Sequence, residues 1–306
     1  MRSGVGQFCA AALAAATIVV AAGCATRVPD SAPSRLCVSV APLAEMVGRI
    51  AGDQVAVDIL VGPGQSPATY EPTPGQMAAL EQTQMLFSVG VPFERALLPR
   101  LHDLYPNLKV VDLQHGLDLL TFEGGHDDHL DHGHDHGSID PHVWLDPQLM
   151  KKMSSTVAEQ LTLPAPQKAA DIQRRLQSYQ EGLDSLDARM ADILAGLSGQ
   201  SMYVYHPSYG YFARRYGLKQ VAVELDGKEP SAQHLVRFTV EAEADRVQAV
   251  FVQPQFPLKS AQALAESVGA EVVELDPLAE DYLDNMLRMA HAVAAALGDT
   301  KNEAGR

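Results

Sequence analysis

Cysteine is scarce in this chain. Of 306 residues only Cys9, Cys24 and Cys37 are cysteines, and the first two fall within the N-terminal 24 residues. If that segment is processed, Cys37 stands alone, which excludes an internal disulfide and a thiolate zinc site. Any metal must then be held by His, Asp or Glu. Basic residues are also few, 23 against 38 acidic, for a formal net charge of −15. That balance argues against nucleic acid as a partner and suits a cationic one. There is a single tryptophan, Trp144. No apolar run reaches the roughly 20 residues needed to span a bilayer.

What is present begins at the N-terminus. Arg2 precedes an apolar stretch from Phe8 to Ala22, the pattern of a secretory leader. It ends in Val20-Ala21-Ala22-Gly23-Cys24, which resembles a bacterial lipobox with Ala21 where Leu is usual. The expectation is a signal peptide over 1–23, a lipidated Cys24, and a flexible tether to residue 35. The remaining chain of about 280 residues is long enough for two lobes with their own cores.

Short β-rich apolar runs alternate with helical patterns. Strands are expected at 36–40, 55–61, 85–89 and 108–113, and again at 202–206, 220–224, 247–252 and 271–275. Helices are expected at 43–51, 74–82 and 94–104, then at 209–216, 231–244, 260–268 and 280–297. This alternation predicts an α/β protein with two parallel sheets covered by helices. Between the two sets, Ile172, Leu176, Tyr179, Leu183, Leu186, Met190, Ile193 and Leu197 keep a 4-3-4-3-4-3-4 spacing. They form one apolar stripe on one helix. Over 166–197 that helix would run roughly 48 Å. A spine packed along both lobes restrains hinge motion, so only small lobe movement is expected. The lobes are then 36–165 and 198–298, with a tail at 299–306.

Residues 126–136 are of another kind. They hold five of the 11 histidines (His126, His129, His132, His134, His136) and four aspartates. The segment has no apolar periodicity, and its composition suits weak, reversible capture of divalent metal. A tighter site needs fixed groups. In open α/β sheets ligands bind beyond the carboxyl ends of strands. His206 closes one predicted strand and Asp276 follows another. His142 lies in Asp140-Pro-His-Val-Trp-Leu-Asp-Pro147, between the His-rich segment and the spine. Two imidazoles and a carboxylate suit Zn²⁺. His102, His115, His234 and His291 have no such setting and are read as surface or packing residues. Trp144 is read as a core or pocket-wall residue beside His142.

Ordered segments then resemble one family, the zinc/manganese (cluster A-I) substrate-binding lipoproteins of metal ABC transporters. They are Pro42–Asp53, Ser66-Pro-Ala-Thr-Tyr-Glu-Pro-Thr-Pro74, Asp140–Pro147, Tyr205-His-Pro-Ser-Tyr-Gly-Tyr-Phe212, Phe251-Val-Gln-Pro-Gln-Phe256 and Leu275-Asp-Pro-Leu278. The His-rich acidic segment is similar to that of the zinc-binding branch. The resemblance implies two (β/α)4 lobes joined by one long helix, with metal in the cleft between them. It also implies no enzymatic activity, an ABC permease as partner and a monomer. The place would be outside the cytoplasmic membrane, on its outer face or in the periplasm, anchored by lipid on Cys24. By position His142, His206 and Asp276 match three of the family's four usual ligands. The first ligand, a His after Ser-Pro, is replaced by Ala68. Water, Tyr70, Glu71, Gln253 or a histidine of 126–136 could fill the fourth place. Mn²⁺ or Fe²⁺ is the alternative cargo. A zinc hydrolase with an open coordination position is the alternative class, Glu229 being the one acid to consider. Some family members are also described as adhesins. The segment before Ser231 reads as a solvated turn leading into a helix that Ser231 caps.

Overall fold

The computed structural model describes residues 35–122, 138–224, 231–256 and 258–298. The leader, Cys24, the tether, the His-rich segment 126–136, Glu229 and the tail lie outside these residues. Among those described, no helix is long and apolar enough to cross a membrane.

The first lobe is a four-stranded parallel sheet. Strands β1 (Arg35–Val40), β2 (Ala56–Val61), β3 (Met85–Ser88) and β4 (Lys109–Asp112) pair in the order β2-β1-β3-β4. Residues Leu36 to Val40 of β1 and all of β3 are buried, as a central strand covered on both faces requires. Helix α1 (Pro42–Ala51) starts on Pro42 and turns Leu43, Met46, Val47 and Ile50 onto the sheet. Helix α2 (Pro74–Leu80) is fixed by a capping box in which Thr73 and Gln76 satisfy each other's backbone N–H. Helix α3 (Pro92–Leu104) follows β3 directly.

The second lobe repeats the arrangement. Strands β5 (Ser201–Val204), β6 (Lys219–Ala222), β7 (Ala249–Val252) and β8 (Glu271–Glu274) pair in parallel in the order β6-β5-β7-β8. Between and after them run α6 (Gly210–Tyr216), α7 (Ala232–Ala244), α8 (Leu258–Ser267) and α9 (Tyr282–Gly298). The Ser231 hydroxyl accepts from His234 N at 3.2 Å, so Ser231 caps α7 as its position before the apolar pattern predicts.

Two helices join the lobes. Helix α4 (Pro147–Thr162) is not among the helices expected from periodicity, although Asp146 caps it and Pro147 opens it. Helix α5 (Ala169–Leu194) is the expected spine, shorter than predicted at both ends. Residues 166–168 form a tighter 3-10 turn, and the helix stops two residues before Gly196. Its 26 residues span about 39 Å. The stripe also rotates along the helix, so that Leu194, not Ile193, is buried at the end. A straight helix drifts by about 20° per heptad against a 3.5-residue repeat, which accounts for the switch.

The spine packs against α4, α9 and α1. One continuous core takes in the first sheet, α4, α5, α9 and the inward face of the second sheet. Two small clusters line the second sheet's other face, under α7 and α8. Polar ties reinforce the packing. Arg175 of α5 donates to the carbonyls of Ile50 and Ala51 at the end of α1, at 2.8 and 3.1 Å. Further along, Asp187 of α5 pairs with Arg215 and accepts from the Tyr216 hydroxyl, both on α6.

A candidate metal centre in the cleft

In each sheet the chain reverses direction of growth beside the first strand of the lobe, and the loops at the carboxyl ends of the strands face a shared cleft. The cleft encloses a cavity of about 300 Å³. Its first-lobe wall is Ser66, Pro67 and Ala68 after β2, with Gly90, Val91, Pro92 and Arg95 after β3. The opposite wall includes His206 and Ser208 after β5, Gln253 and Gln255 after β7, and Pro277 and Leu278 after β8. His142 closes the cavity from the segment ahead of α4.

His142 and His206 meet here. Their ring centroids are 5.5 Å apart at an interplanar angle of 78°. Two imidazoles sharing one tetrahedral ion with Zn–N near 2.0–2.1 Å would place their centroids roughly 5 Å apart, so the spacing fits one metal. Each ring is fixed from behind by a carboxylate. Asp140 Oδ1 lies 2.7 Å from His142 Nδ1 and also accepts from His142 N at 2.9 Å. Glu224 Oε2 lies 2.7 Å from His206 Nδ1. With Nδ1 donating to the carboxylate, Nε2 of each ring carries the free lone pair, the arrangement of a metal-binding histidine. Burial holds the His206 imidazole below the ordinary histidine range despite Glu224, which keeps it neutral and able to coordinate.

The supports of these groups interlock. The Tyr211 hydroxyl donates to Asp140 O and accepts from Leu120 N, both at 2.9 Å. At Gly210 a Cβ would come within 2.8 Å of Asp140 Oδ2, so the residue opening α6 must be glycine for Asp140 to sit here. The Trp144 indole donates to Pro277 O at 2.8 Å, and the Tyr282 hydroxyl donates to Trp144 O at 2.8 Å. Trp144 is fully buried, 5.3 Å from the His142 ring, and does not line the cavity. It belongs to the core, the first of its two expected places. The His206 ring stacks on Phe256 at 5.1 Å.

Asp276 is placed differently. It follows β8, half-buried, and its Oδ1 accepts from Gln255 Nε2 at 3.0 Å and Leu278 N at 2.9 Å. Among the described residues no three His, Cys, Asp or Glu groups lie together at metal-holding distance. Two imidazoles are therefore assembled, and Asp276 is not joined to them in one cluster. Ala68, where the family's first ligand would stand, lines the cavity; of the candidates for a further ligand among the described residues, Gln253 lines it too, while Tyr70 and Glu71 do not. Tyr70 is buried, its hydroxyl given to Gln76 Oε1 at 2.9 Å and its ring packed on Phe93. Glu71 is exposed. Gln253 donates to His206 O and Ser208 Oγ, both at 3.0 Å, and its buried Oε1 has no hydrogen-bond partner among the described residues. His102, His115 and His291 are exposed, and His234 lies 3.2 Å from Ala222 O, as their settings predict.

Asp140 and Glu224, which stand behind the two imidazoles, are the residues of this cleft that sequence reasoning did not single out. For Asp140 there was a signal, an aspartate two places before a candidate ligand. Glu224 is 18 residues from His206, and no local pattern marks it.

Residues 37–296 match the family described as ZnuA, zinc-uptake complex component A, periplasmic. The zinc-binding lipoprotein AdcA of Streptococcus pneumoniae is 29% identical over 243 residues, 78% of this chain and 48% of that protein. The chain thus spans about half the length of this relative. A putative metal-binding protein of Chlamydia trachomatis is 28% identical over 265 residues, 86% of this chain and 92% of that one. ZnuA has been solved as such and as a deletion mutant with zinc bound. Each structure superimposes with a TM-score of 0.79 at 34% identity, covering 86% of this chain and 98% of the other. With two four-stranded parallel sheets, a joining helix and paired histidines in the cleft, this chain belongs to the periplasmic zinc-uptake component A family.

Proposed function

We propose that this protein is an extracytoplasmic solute-binding protein that captures Zn²⁺ and hands it to an ABC permease. The observation that carries the proposal is the pair of imidazoles lining one cavity, each held at Nδ1 by its own carboxylate. Family membership supports the same reading. Nε2 of His142 and of His206 would hold the ion, with Asp276 as third ligand through a modest shift of its carboxylate. Water or Gln253 would take the fourth place, since Ala68 has nothing to offer. Neutral imidazoles favour Zn²⁺ over the harder Mn²⁺. Residues 126–136 would collect the ion weakly and raise its local concentration. Phe122 and Ser138, which flank residues 123–137, both line the cavity, and Phe122 N donates to Ser138 O at 2.9 Å. A lipid on Cys24 would tether the protein to the membrane, where it would act as a monomer.

Hydrolysis is disfavoured by the cavity itself. Among the described residues no Asp or Glu lines it, and Asp140 and Glu224 are committed to the imidazoles. Among those residues none is therefore placed there as a free carboxylate base.

Calorimetry with elemental analysis tests the proposal. Dialysed protein should bind one Zn²⁺ tightly and further ions weakly, with the tight class weakening as the pH falls and protons compete for His206, whose imidazole burial holds below the ordinary histidine range. His206→Ala should weaken the tight class by at least about 100-fold, on the scale at which even outer supports cost 10–100-fold. An unaltered tight site in that variant would overturn the assignment. Deleting 126–136 should remove only the weak class.

A further inference from the structure

One short turn after β7 reaches two of the three residues proposed to hold the ion. Gln253 O accepts from Phe256 N at 3.1 Å, which closes the turn. On one side it grips His206: Gln253 donates to His206 O, and the Phe256 ring stacks on the imidazole. Gln255 reaches the other way, and its Nε2 donates to Asp276 Oδ1 at 3.0 Å. Asp276 is also held through its backbone, since Asn285 Nδ2 donates to its carbonyl at 2.7 Å. Both donors to the Asp276 carboxylate fall on the same oxygen. Oδ1 accepts from Gln255 Nε2 and from Leu278 N, and no hydrogen bond among the described residues reaches Oδ2. Gln255 lines the cavity and Asp276 does not, although Pro277 and Leu278 after it do. The Gln255 amide thus stands at the cavity edge, on the carboxylate that has to turn inward to bind.

From these contacts we infer that Gln255 is a positioning residue that makes Asp276 a one-oxygen ligand and so sets the choice of metal. An oxygen that already accepts two hydrogen bonds has little left to give an ion, so coordination falls to Oδ2 alone. Zn²⁺ is satisfied by four ligands in a tetrahedron. Mn²⁺ favours octahedral oxygen sets and would gain from a carboxylate bound through both oxygens. Holding back Oδ1 therefore favours the smaller coordination number. Hydrogen bonds to a ligating carboxylate are also what aims it, and losing such a support typically costs 10–100-fold in metal affinity. The inference rests on the reading of Asp276 as third ligand and deepens it: Asp276 supplies the charge, and Gln255 decides how many of its oxygens the ion receives.

The test compares Zn²⁺ and Mn²⁺ affinities of the full-length parent, Gln255→Met and Asp276→Ala, by competition with a chromophoric chelator. Gln255→Met keeps the length of the side chain and removes the donor. Its Zn²⁺ dissociation constant should rise about tenfold, while that for Mn²⁺ stays level or falls, so the ratio of the two narrows by about tenfold or more. A loss of packing alone would weaken both metals alike. The Co²⁺-loaded parent gives a second readout that needs no variant to fold. Its visible absorption should have the high intensity of a four-coordinate ion, and in Gln255→Met it should weaken as a second carboxylate oxygen enters. An unchanged ratio of Zn²⁺ to Mn²⁺ affinity in Gln255→Met overturns the inference, provided that Asp276→Ala still loses Zn²⁺ affinity. So does a parent Co²⁺ spectrum of the weak, six-coordinate kind. Zn²⁺ binding by Asp276→Ala equal to that of the parent overturns Asp276 as a ligand and this inference with it.

Discussion

At the scale of single residues, the site depends on how its imidazoles are held as much as on their presence. Glu224 fixes the tautomer and direction of the His206 ring and adds to its basicity through a 2.7 Å contact. Glu224→Gln keeps the shape but loses the charge, so Zn²⁺ affinity should fall by about tenfold, the lower end of the range for such supports. Trp144 offers the readout. It is the only tryptophan, fully buried and 5.3 Å from the His142 ring, so its fluorescence should change on Zn²⁺ addition. The titration midpoint should move with the substitution while the end-point stays the same. A midpoint identical to that of the parent would mean that Glu224 does not act on His206.

At the scale of elements, α5 is tied to the second lobe by a charged junction in a largely apolar seam. Burial pushes the Asp187 carboxyl up, but the Arg215 guanidinium and the bonds from Tyr216 and Gln148 outweigh it and hold it below the ordinary aspartate range. A carboxyl depressed in the folded state contributes stability at pH values above its unfolded pKa near 3.9, lost as pH falls through the folded value. Removing one partner of a well-buried pair costs about 3–5 kcal/mol, and an exposed pair contributes far less. Because the Arg215 side chain is 36% exposed, Asp187→Asn should cost ~2 kcal/mol at pH 7. The difference in Tm between parent and variant should shrink as the pH is taken from 7 towards 3. A difference constant over that range would place the cost in packing and not in the charge.

At the scale of the whole molecule, the shared core decides how the protein can move. The spine contacts helices of both lobes, and Arg175 and Asp187 pin it at separate points. Hinge closure requires a few backbone torsions to absorb a rotation without tearing a packed interface. Here the interface is the core itself, so rotation about the cleft would expose apolar surface. Small-angle scattering curves of metal-free and Zn²⁺-loaded protein should superimpose, with ordering confined to the cleft. A clear drop in radius of gyration on metal addition would show that the spine does not restrain the lobes. The expected small movement follows from α5 alone, and α4 and α9, packed along it, strengthen the argument.

Much of the architecture was legible in the chain. Alternating β-branched runs and amphipathic helices specify two parallel sheets, because a strand buried on both faces and a helix with one apolar stripe each have few places to go. The position of His142 and His206 at element ends was readable for the same reason, and so was the chemistry they offer. Helix α4 escaped, although Asp146 and Pro147 mark its start, and the register drift of α5 could not be seen from a heptad count. Only the tertiary structure decided which carboxylate stands behind which imidazole, that Tyr70 turns away into the first core, and that Arg95 shares a cavity with the histidines. Those are contacts between residues far apart in sequence, set by how the two sheets are placed around the spine, and no local pattern encodes them. The sequence determined which groups could bind a metal, and the fold decided which of them face one another.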